Sequence, residues 1–420
     1  MRTKAVRMYG KKDLRLEEFE LRKINDNEIL AQVISDTICM STYKAVIQGR
    51  DHKRVPNDIN VNPIIIGHEF AGIIIEVGQK LKNKYNIGER FALQPNINYK
   101  GLGFAPGYSF TDFGGDAAHI IIPNYVIENG FLLKYNGDAF FKASLAEPLS
   151  CIISALRASY HVDKQNGKHL MGIKDRGRMI IIGGCGPMGL GTIDLIINWE
   201  KKPKLLVVTD INEDRLRNAK RFIPPSQAKE RGVELIYCNT KNIKNVVQHL
   251  LDISSDHGYD DIMIMAPVVE VVEQADKITS EDACINFFSG PTDKSFSARI
   301  NLYDVHYKGK HIIGTSGGNT EDMKIALKLI EDNLIHPEVM ITHIGGLNAV
   351  INTTLNLPHL PGGKKLIYTN INLDLIPLNE LLSIGSKNPL FQNLYKIIKP
   401  NKFLWSAEAE NYLLKNTEKI

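Results

Sequence analysis

The chain has 420 residues, which at roughly 150 residues per domain gives two or three domains. Hydrophobic residues make up 43% and charged residues 23%, an ordinary balance for a globular chain that can bury a core without disulfide or metal staples. Its 51 Lys and Arg against 47 Asp and Glu leave a net charge of only +4, too small to point to nucleic acid or an anionic membrane.

The first third reads as β-rich. Residues 1–7 carry charge with no apolar stretch behind it, so no secretory leader is expected. Residues 29–34 form a short, mostly apolar run. Residues 64–77 hold two more, around Gly67 and Gly72, and His68, Glu69 and Glu76 break this stretch well short of the ~18 residues of a membrane span. Residues 91–93 and 119–122 are further short candidates. Gly, Pro, Asn and Asp punctuate all of these closely, as an all-β region requires.

The pattern changes near residue 178. Residues 179–182 are continuously apolar, suited to a strand buried on both faces. Glycines follow, then helix-like spacing over 188–199, an apolar run over 205–208 ending at Asp210, and a second helix-like stretch from Glu213. Runs at 261–265 and 283–288 continue the alternation, which predicts an α/β fold with a doubly wound parallel sheet. Residues 321–333 predict an amphipathic helix, with Met323, Ala326, Leu327 and Ile330 at helical spacing. The tail, 376–420, holds two Pro-interrupted helical stretches and no assignable chemistry. The five cysteines, Cys39, Cys151, Cys185, Cys238 and Cys284, are odd in number and far apart, which suits a reducing, cytoplasmic compartment.

Gly184-Cys185-Gly186-Pro187-Met188-Gly189 fits G-x-G-x-x-G. Its context gives it force: a buried strand before, a helix after, and Asp210 closing the next strand. The first glycine makes the tight turn, the second lets backbone approach a pyrophosphate, and the third lets helix pack on strand. The helix N-terminus presents free N–H groups to the phosphates. Asp210 would accept hydrogen bonds from both ribose hydroxyls and repel a 2′-phosphate, favouring NAD(H) over NADP(H), while Arg215 weakens that preference.

Three separated segments carry residue types that suit zinc: Cys39, then His68-Glu69, then Glu147. A catalytic zinc wants about three ligands of Cys, His or carboxylate type and an open position. Spacing alone leaves the matter open. A lone cysteine on a β-rich segment is usually a small buried hydrophobe, and a His-Glu pair between apolar runs is usually a turn or solvated corner.

These motifs occur in a telling order. Cys39 with Ser41, Gly67-His68-Glu69-Phe70-Ala71-Gly72 followed by Glu76-Val77-Gly78, Gly88-Glu89-Arg90, Glu147-Pro148 and the glycine motif with its proline resemble the zinc-dependent medium-chain dehydrogenases over residues 1 to about 370. The segment 39–44, the insertion 48–63, Gln94-Pro95-Asn96-Ile97, residues 106–110, residues 146–151 and the long tail resemble the L-sorbose 1-phosphate reductase branch of that family. The resemblance implies a GroES-like catalytic domain at 1–165, a Rossmann NAD(P)-binding domain at 166–318, a return to the catalytic domain at 319–375 and a C-terminal extension at 376–420, with the active-site cleft between the two domains. It further implies that Cys39, His68 and Glu147 bind zinc, with Glu69 either a ligand or an adjacent carboxylate that exchanges with substrate. No cysteine falls between Gln94 and Asp116, so one catalytic zinc and no structural zinc is expected.

The implied reaction is hydride transfer between NAD(P)H and a ketose or polyol phosphate. Ser41 would relay the proton, with Lys44 at the solvent end of the relay. Arg50, His52, Lys53 and Arg54 offer cationic or hydrogen-bonding groups for a phosphate, with Lys44 a competitor, and Gln94, Asn96 and Tyr108 could hydrogen-bond sugar hydroxyls. Ser289, Gly290 and Ser316 fall at late strand ends, where they would meet the nicotinamide half of the cofactor. Residues 298–314 resemble the edge at which relatives join sheets, implying a homodimer or homotetramer. Two other readings stay open: a dehydrogenase of free polyols or threonine, and a nucleotide-sensing protein without catalysis.

Overall fold

The computed structural model describes residues 1–386 and 388–420. The chain forms two compact units, one of Met1–Pro148, Asn319–Asn333 and Ile341–Ile420, the other of Leu149–Gly318 and Leu334–Met340.

The first unit is built on an eight-stranded sheet. Its centre is the strand Ile29–Ile38, which pairs antiparallel with Phe70–Val77, His119–Ile122 and Lys364–Tyr368. The apolar run seen at 29–34 thus continues four residues further, through Asp36 and Thr37, and is buried on both faces. Ile29, Val33, Phe70, Ile74 and Ile120 pack on one side. A second cluster joins Ile38, Ile64, Ile66 and Tyr108 to Val46 of the helix Met40–Gln48. That cluster matters for function, because it fixes the segments bearing Cys39, His68 and Tyr108 against one another.

The tail extends this unit. The strand Ile376–Pro377 joins the sheet beside Ile341–Gly346. Three helices follow, Leu381–Gly385, Pro389–Ile398 and Ala407–Asn416, where the sequence suggested two stretches. The breaks are local. Asn388 caps and Pro389 opens the second helix, and Ser406 caps the third after Lys402 and Phe403 adopt left-handed backbone. The tail is locked by Glu410. Its carboxylate accepts from the backbone N–H of Phe140 at 2.6 Å and of Phe141 at 2.9 Å, and from the Tyr368 hydroxyl at 3.0 Å. Trp405 Nε1 donates to the same hydroxyl at 2.7 Å.

The second unit holds six parallel strands in the spatial order Glu234–Asn239, Leu205–Asp210, Arg178–Ile182, Tyr259–Ile264, Thr279–Phe287, His311–Gly314. Counted along the chain this is 3-2-1-4-5-6, the doubly wound order whose crevice lies at the carboxyl ends of the first strands. The isoleucines of Arg178–Ile182 fill both faces, as their continuous apolarity required. The short return of 334–340 is pinned by the Asp194 carboxylate, which accepts from the His336 backbone N–H at 2.6 Å. Among the described residues no helix is long and apolar enough to cross a membrane.

Candidate active site

The structure brings Cys39, His68 and Glu69 together, with one potential ligand atom from each lying within 4.8 Å of the others. Cys39 follows the strand Ile29–Ile38 and stands at the N-cap of the helix Met40–Gln48. Ser41 therefore lies in a first helical turn. Its Oγ is 3.0 Å from Cys39 Sγ and 3.1 Å from His68 Nε2. Thr42, the next residue, is hydrogen-bonded to His68 Nδ1 at 3.1 Å. That contact orients the imidazole so that Nε2 faces the thiol, the arrangement expected of a metal-ligating histidine. Gly67, at φ +87°, provides the left-handed turn into His68 and Glu69. Both residues are buried, so the His-Glu pair is not a solvated corner.

A charged frame that the motifs did not reveal stands behind these donors. Lys364, fully buried, donates to both oxygens of Glu69, at 2.6 Å to Oε2, and the Thr37 hydroxyl donates to the same carboxylate. Asp36 Oδ1 accepts from the backbone N–H groups of Thr37 at 2.7 Å and Glu69 at 3.0 Å. Asp36 Oδ2 and both carboxylate oxygens of the buried Asp116 have no hydrogen-bond partner among the described residues. Burial, with the charges of Asp116 and Glu69 adding, pushes Asp36 well above the usual carboxylate range, and burial lifts Asp116 to about 7.

The same physics sets the donors. Burial pushes the Cys39 thiol up to about 12, helped by Glu69 and Glu147 and opposed by Lys364 and Ser41. Burial pulls His68 down to about 4, so the imidazole is neutral. Burial alone would raise Glu69, but Lys364 and His68 hold it below the usual range. A thiol, a neutral imidazole and an anionic carboxylate in one buried group fit zinc, and a divalent cation would displace the thiol proton. Glu147, in the first turn of the helix Ala146–Ala158, lies outside the 4.8 Å group, although its charge acts on Cys39, Tyr108 and Lys364. Lys44 lies one turn beyond Ser41 on its helix and is half-buried.

Beside His68 lies an aromatic stack. Tyr108 Oη is 3.4 Å from His68 Nε2, and the two ring centroids are 5.0 Å apart. The His52 ring stacks on Tyr108 at 5.6 Å and 12°. The Arg54 guanidinium carbon is 5.3 Å from the Tyr108 centroid, and Arg54 donates to Asn96 Oδ1 at 3.4 Å. Lys53 and Arg50 are exposed. The Gln94 side chain is committed to backbone, donating to Asn319 O and accepting from Asn96 N–H, each at 2.9 Å.

In the second unit the glycine loop behaves as its spacing implied. Gly184 N–H donates to Thr209 O at 2.8 Å, and Pro187 opens the helix Pro187–Asn198. A Cβ on Gly189 would come within 2.1 Å of Gly184 O, whereas one on Gly186 would meet nothing within 4 Å. The third glycine is thus for packing and the second leaves room for a ligand. Asp210 accepts from Cys185 N–H at 3.2 Å and Asn212 N–H at 2.9 Å. Arg215 is exposed one turn on. Ser289 follows the strand Thr279–Phe287, and Thr315 and Ser316 follow His311–Gly314. The hydroxyls of Ser289 and Thr315 are buried at these strand ends with no hydrogen-bond partner among the described residues, and Gly290 is exposed beside them. An open glycine turn, a carboxylate and unpartnered hydroxyls fit a dinucleotide.

Residues 25–126 match the alcohol dehydrogenase GroES-like domain, and residues 205–332 match the zinc-binding dehydrogenase domain. The chain belongs to the zinc-dependent medium-chain dehydrogenase family, and is an oxidoreductase with a GroES-like and a Rossmann-type domain. It is 47% identical to the mannitol-1-phosphate 5-dehydrogenase of Aliivibrio fischeri, over 98% of this chain and 97% of that one. It is 44% identical to the L-sorbose 1-phosphate reductase of Klebsiella pneumoniae, over 100% and 98%. The crystal structure of 2R,3R-butanediol dehydrogenase from Bacillus subtilis shares the fold, with a TM-score of 0.70 at 21% identity over 88% of this chain and 100% of that one.

Proposed function

We propose that this protein reduces a ketose phosphate with NADH, converting L-sorbose 1-phosphate to D-glucitol 6-phosphate. The observation that carries the reading is the group of Cys39 with the buried His68 and Glu69. Full-length similarity to a relative named for that phosphorylated ketose supports the substrate class. The relative named for mannitol 1-phosphate favours a second reading, in which a polyol phosphate reacts at its carbon 5.

Cys39 and His68, completed by Glu147, would hold the zinc, with Glu69 restrained by Lys364 as the exchanging carboxylate. Zinc would supply Lewis-acid polarisation of the reacting carbonyl. The nicotinamide would supply the hydride, with Gly184, Gly186, Pro187, Met188 and Gly189 holding its pyrophosphate and Ser289, Gly290 and Ser316 its distal half. Asp210, at the second strand's end, favours an unphosphorylated ribose and hence NAD(H). Ser41 sits against Cys39 Sγ and His68 Nε2, where its hydroxyl can hand a proton to the reacting oxygen, and Lys44 stands one helical turn outward to replenish it. The exposed Leu302, Tyr303, Tyr307 and Ile312 on and beside the edge strand His311–Gly314 support a homo-oligomer built on that edge.

A coupled assay tests the reading. NADH and NADPH oxidation is followed with L-sorbose 1-phosphate, L-sorbose, threonine and mannitol 1-phosphate, before and after chelation. NADH oxidation specific to the ketose phosphate and abolished by chelation is expected. Turnover indifferent to the phosphate would overturn it.

A further inference from the structure

Arg54 is the side chain in this neighbourhood most unlike its surroundings. It lies on the face of Tyr108 within the group His52, Arg54, Asn96 and Tyr108, and among the described residues no carboxylate pairs with it. A half-buried guanidinium next to a ligand site, with its charge facing no anion of the protein, is suited to one brought by a ligand.

We propose that Arg54 is the phosphate-recognising residue of the substrate site. This rests on the sugar-phosphate reading above. The first half of the argument concerns which cation faces the site. The loop 52–55 is fixed by backbone: Ser109 Oγ donates to Arg54 O at 2.6 Å, and Val55 N–H donates to His52 O at 2.9 Å. His52 and Arg54 point to Tyr108, and Lys53 between them is exposed. Burial, with the charges of Arg54 and Lys53, pulls His52 down to about 4, so at neutral pH it is an uncharged stacking and hydrogen-bonding partner. The fixed charge toward the stack is therefore that of Arg54.

The second half concerns reach. The Arg54 guanidinium and the His68 imidazole both lie against the ring of Tyr108, 5.3 Å and 5.0 Å from its centroid. A substrate whose carbonyl reacts beside His68 can therefore carry a phosphate to Arg54.

Steady-state kinetics on the zinc-loaded holoenzyme test this with L-sorbose 1-phosphate, L-sorbose and a 2-hexulose 6-phosphate. The 1-phosphate is expected to give the highest kcat/KM. Arg54→Met should raise its KM about 10- to 100-fold, the size of one charge-assisted contact, and penalise L-sorbose at least tenfold less. Arg54→Lys should recover part of the loss, and inorganic phosphate should inhibit wild type competitively but Arg54→Met only weakly. If Lys53→Met or Lys44→Met carries the KM loss while Arg54→Met does not, the assignment is overturned with the sugar-phosphate reading intact. If wild type shows no preference for any phosphate, the underlying reading fails and the inference falls with it.

Discussion

Lys364 and Glu69 form a buried ion pair across 295 residues of sequence, directly behind Cys39 and His68. Both side chains are buried, and each charge is what makes the other tolerable. Lys364→Met should thus strand the Glu69 charge and cost about 3–5 kcal/mol in urea unfolding. The double variant with Glu69→Gln should regain most of that stability. A loss below about 1 kcal/mol for the single variant would mean that the pair is not the strut its burial implies.

Zinc removal is the second test. One equivalent per chain is expected, from Cys39, His68 and Glu69, the one such group of donors among the described residues. Loss of the Lewis acid is worth several kcal/mol of transition-state stabilisation, so dialysis against a chelator should lower turnover more than about 1000-fold. Zinc alone should restore it, and circular dichroism should show the fold unchanged throughout.

What the sequence made legible follows from how far each feature reaches. The strand Arg178–Ile182, the turn at Gly184 and the helix from Pro187 are local, and their residues declare them. The helix Met40–Gln48 was invisible because Cys39 supplies no capping side chain, so Ser41 read as part of a β-rich segment. Cys39 and His68 could be paired only through the resemblance, since spacing carries no information about a fold-made contact. Lys364 and Asp36 were missed, yet each left a trace. A lysine pair opens the apolar strand Lys364–Tyr368, and an aspartate sits inside the apolar strand Ile29–Ile38. A charge in a buried strand demands a partner, and that demand was the available signal.

The tail gives a pH test. Burial, outweighing the backbone N–H groups of Phe140 and Phe141 and the Tyr368 hydroxyl, raises Glu410 to about 7. A carboxyl with a raised folded pKa keeps its proton in the native state after the unfolded chain has lost it. Its contribution is whole below the unfolded value of about 4.3 and declines as pH rises to about 7. The full decline is about 4 kcal/mol at most. Thermal melts should show Glu410→Gln with a flatter stability profile than wild type between pH 4.5 and 7. Parallel profiles would show that Glu410 does not titrate in that window.

The two inner glycines of the nucleotide loop should fail in opposite ways. A methyl at Gly189 would strike Gly184 O, backbone that has nowhere to move, and nothing stands near Gly186. Gly186 also has φ of −80°, which alanine adopts freely. Gly189→Ala should therefore destabilise the second unit by about 1–3 kcal/mol, the cost of overpacking a close contact. Gly186→Ala should melt within about 0.5 kcal/mol of wild type but bind NADH about tenfold more weakly, because its methyl occupies the space meant for the pyrophosphate. Fluorescence titration with NADH beside thermal melts separates the two. Equal losses of stability in both variants would contradict the division of labour between a packing glycine and a ligand-facing one.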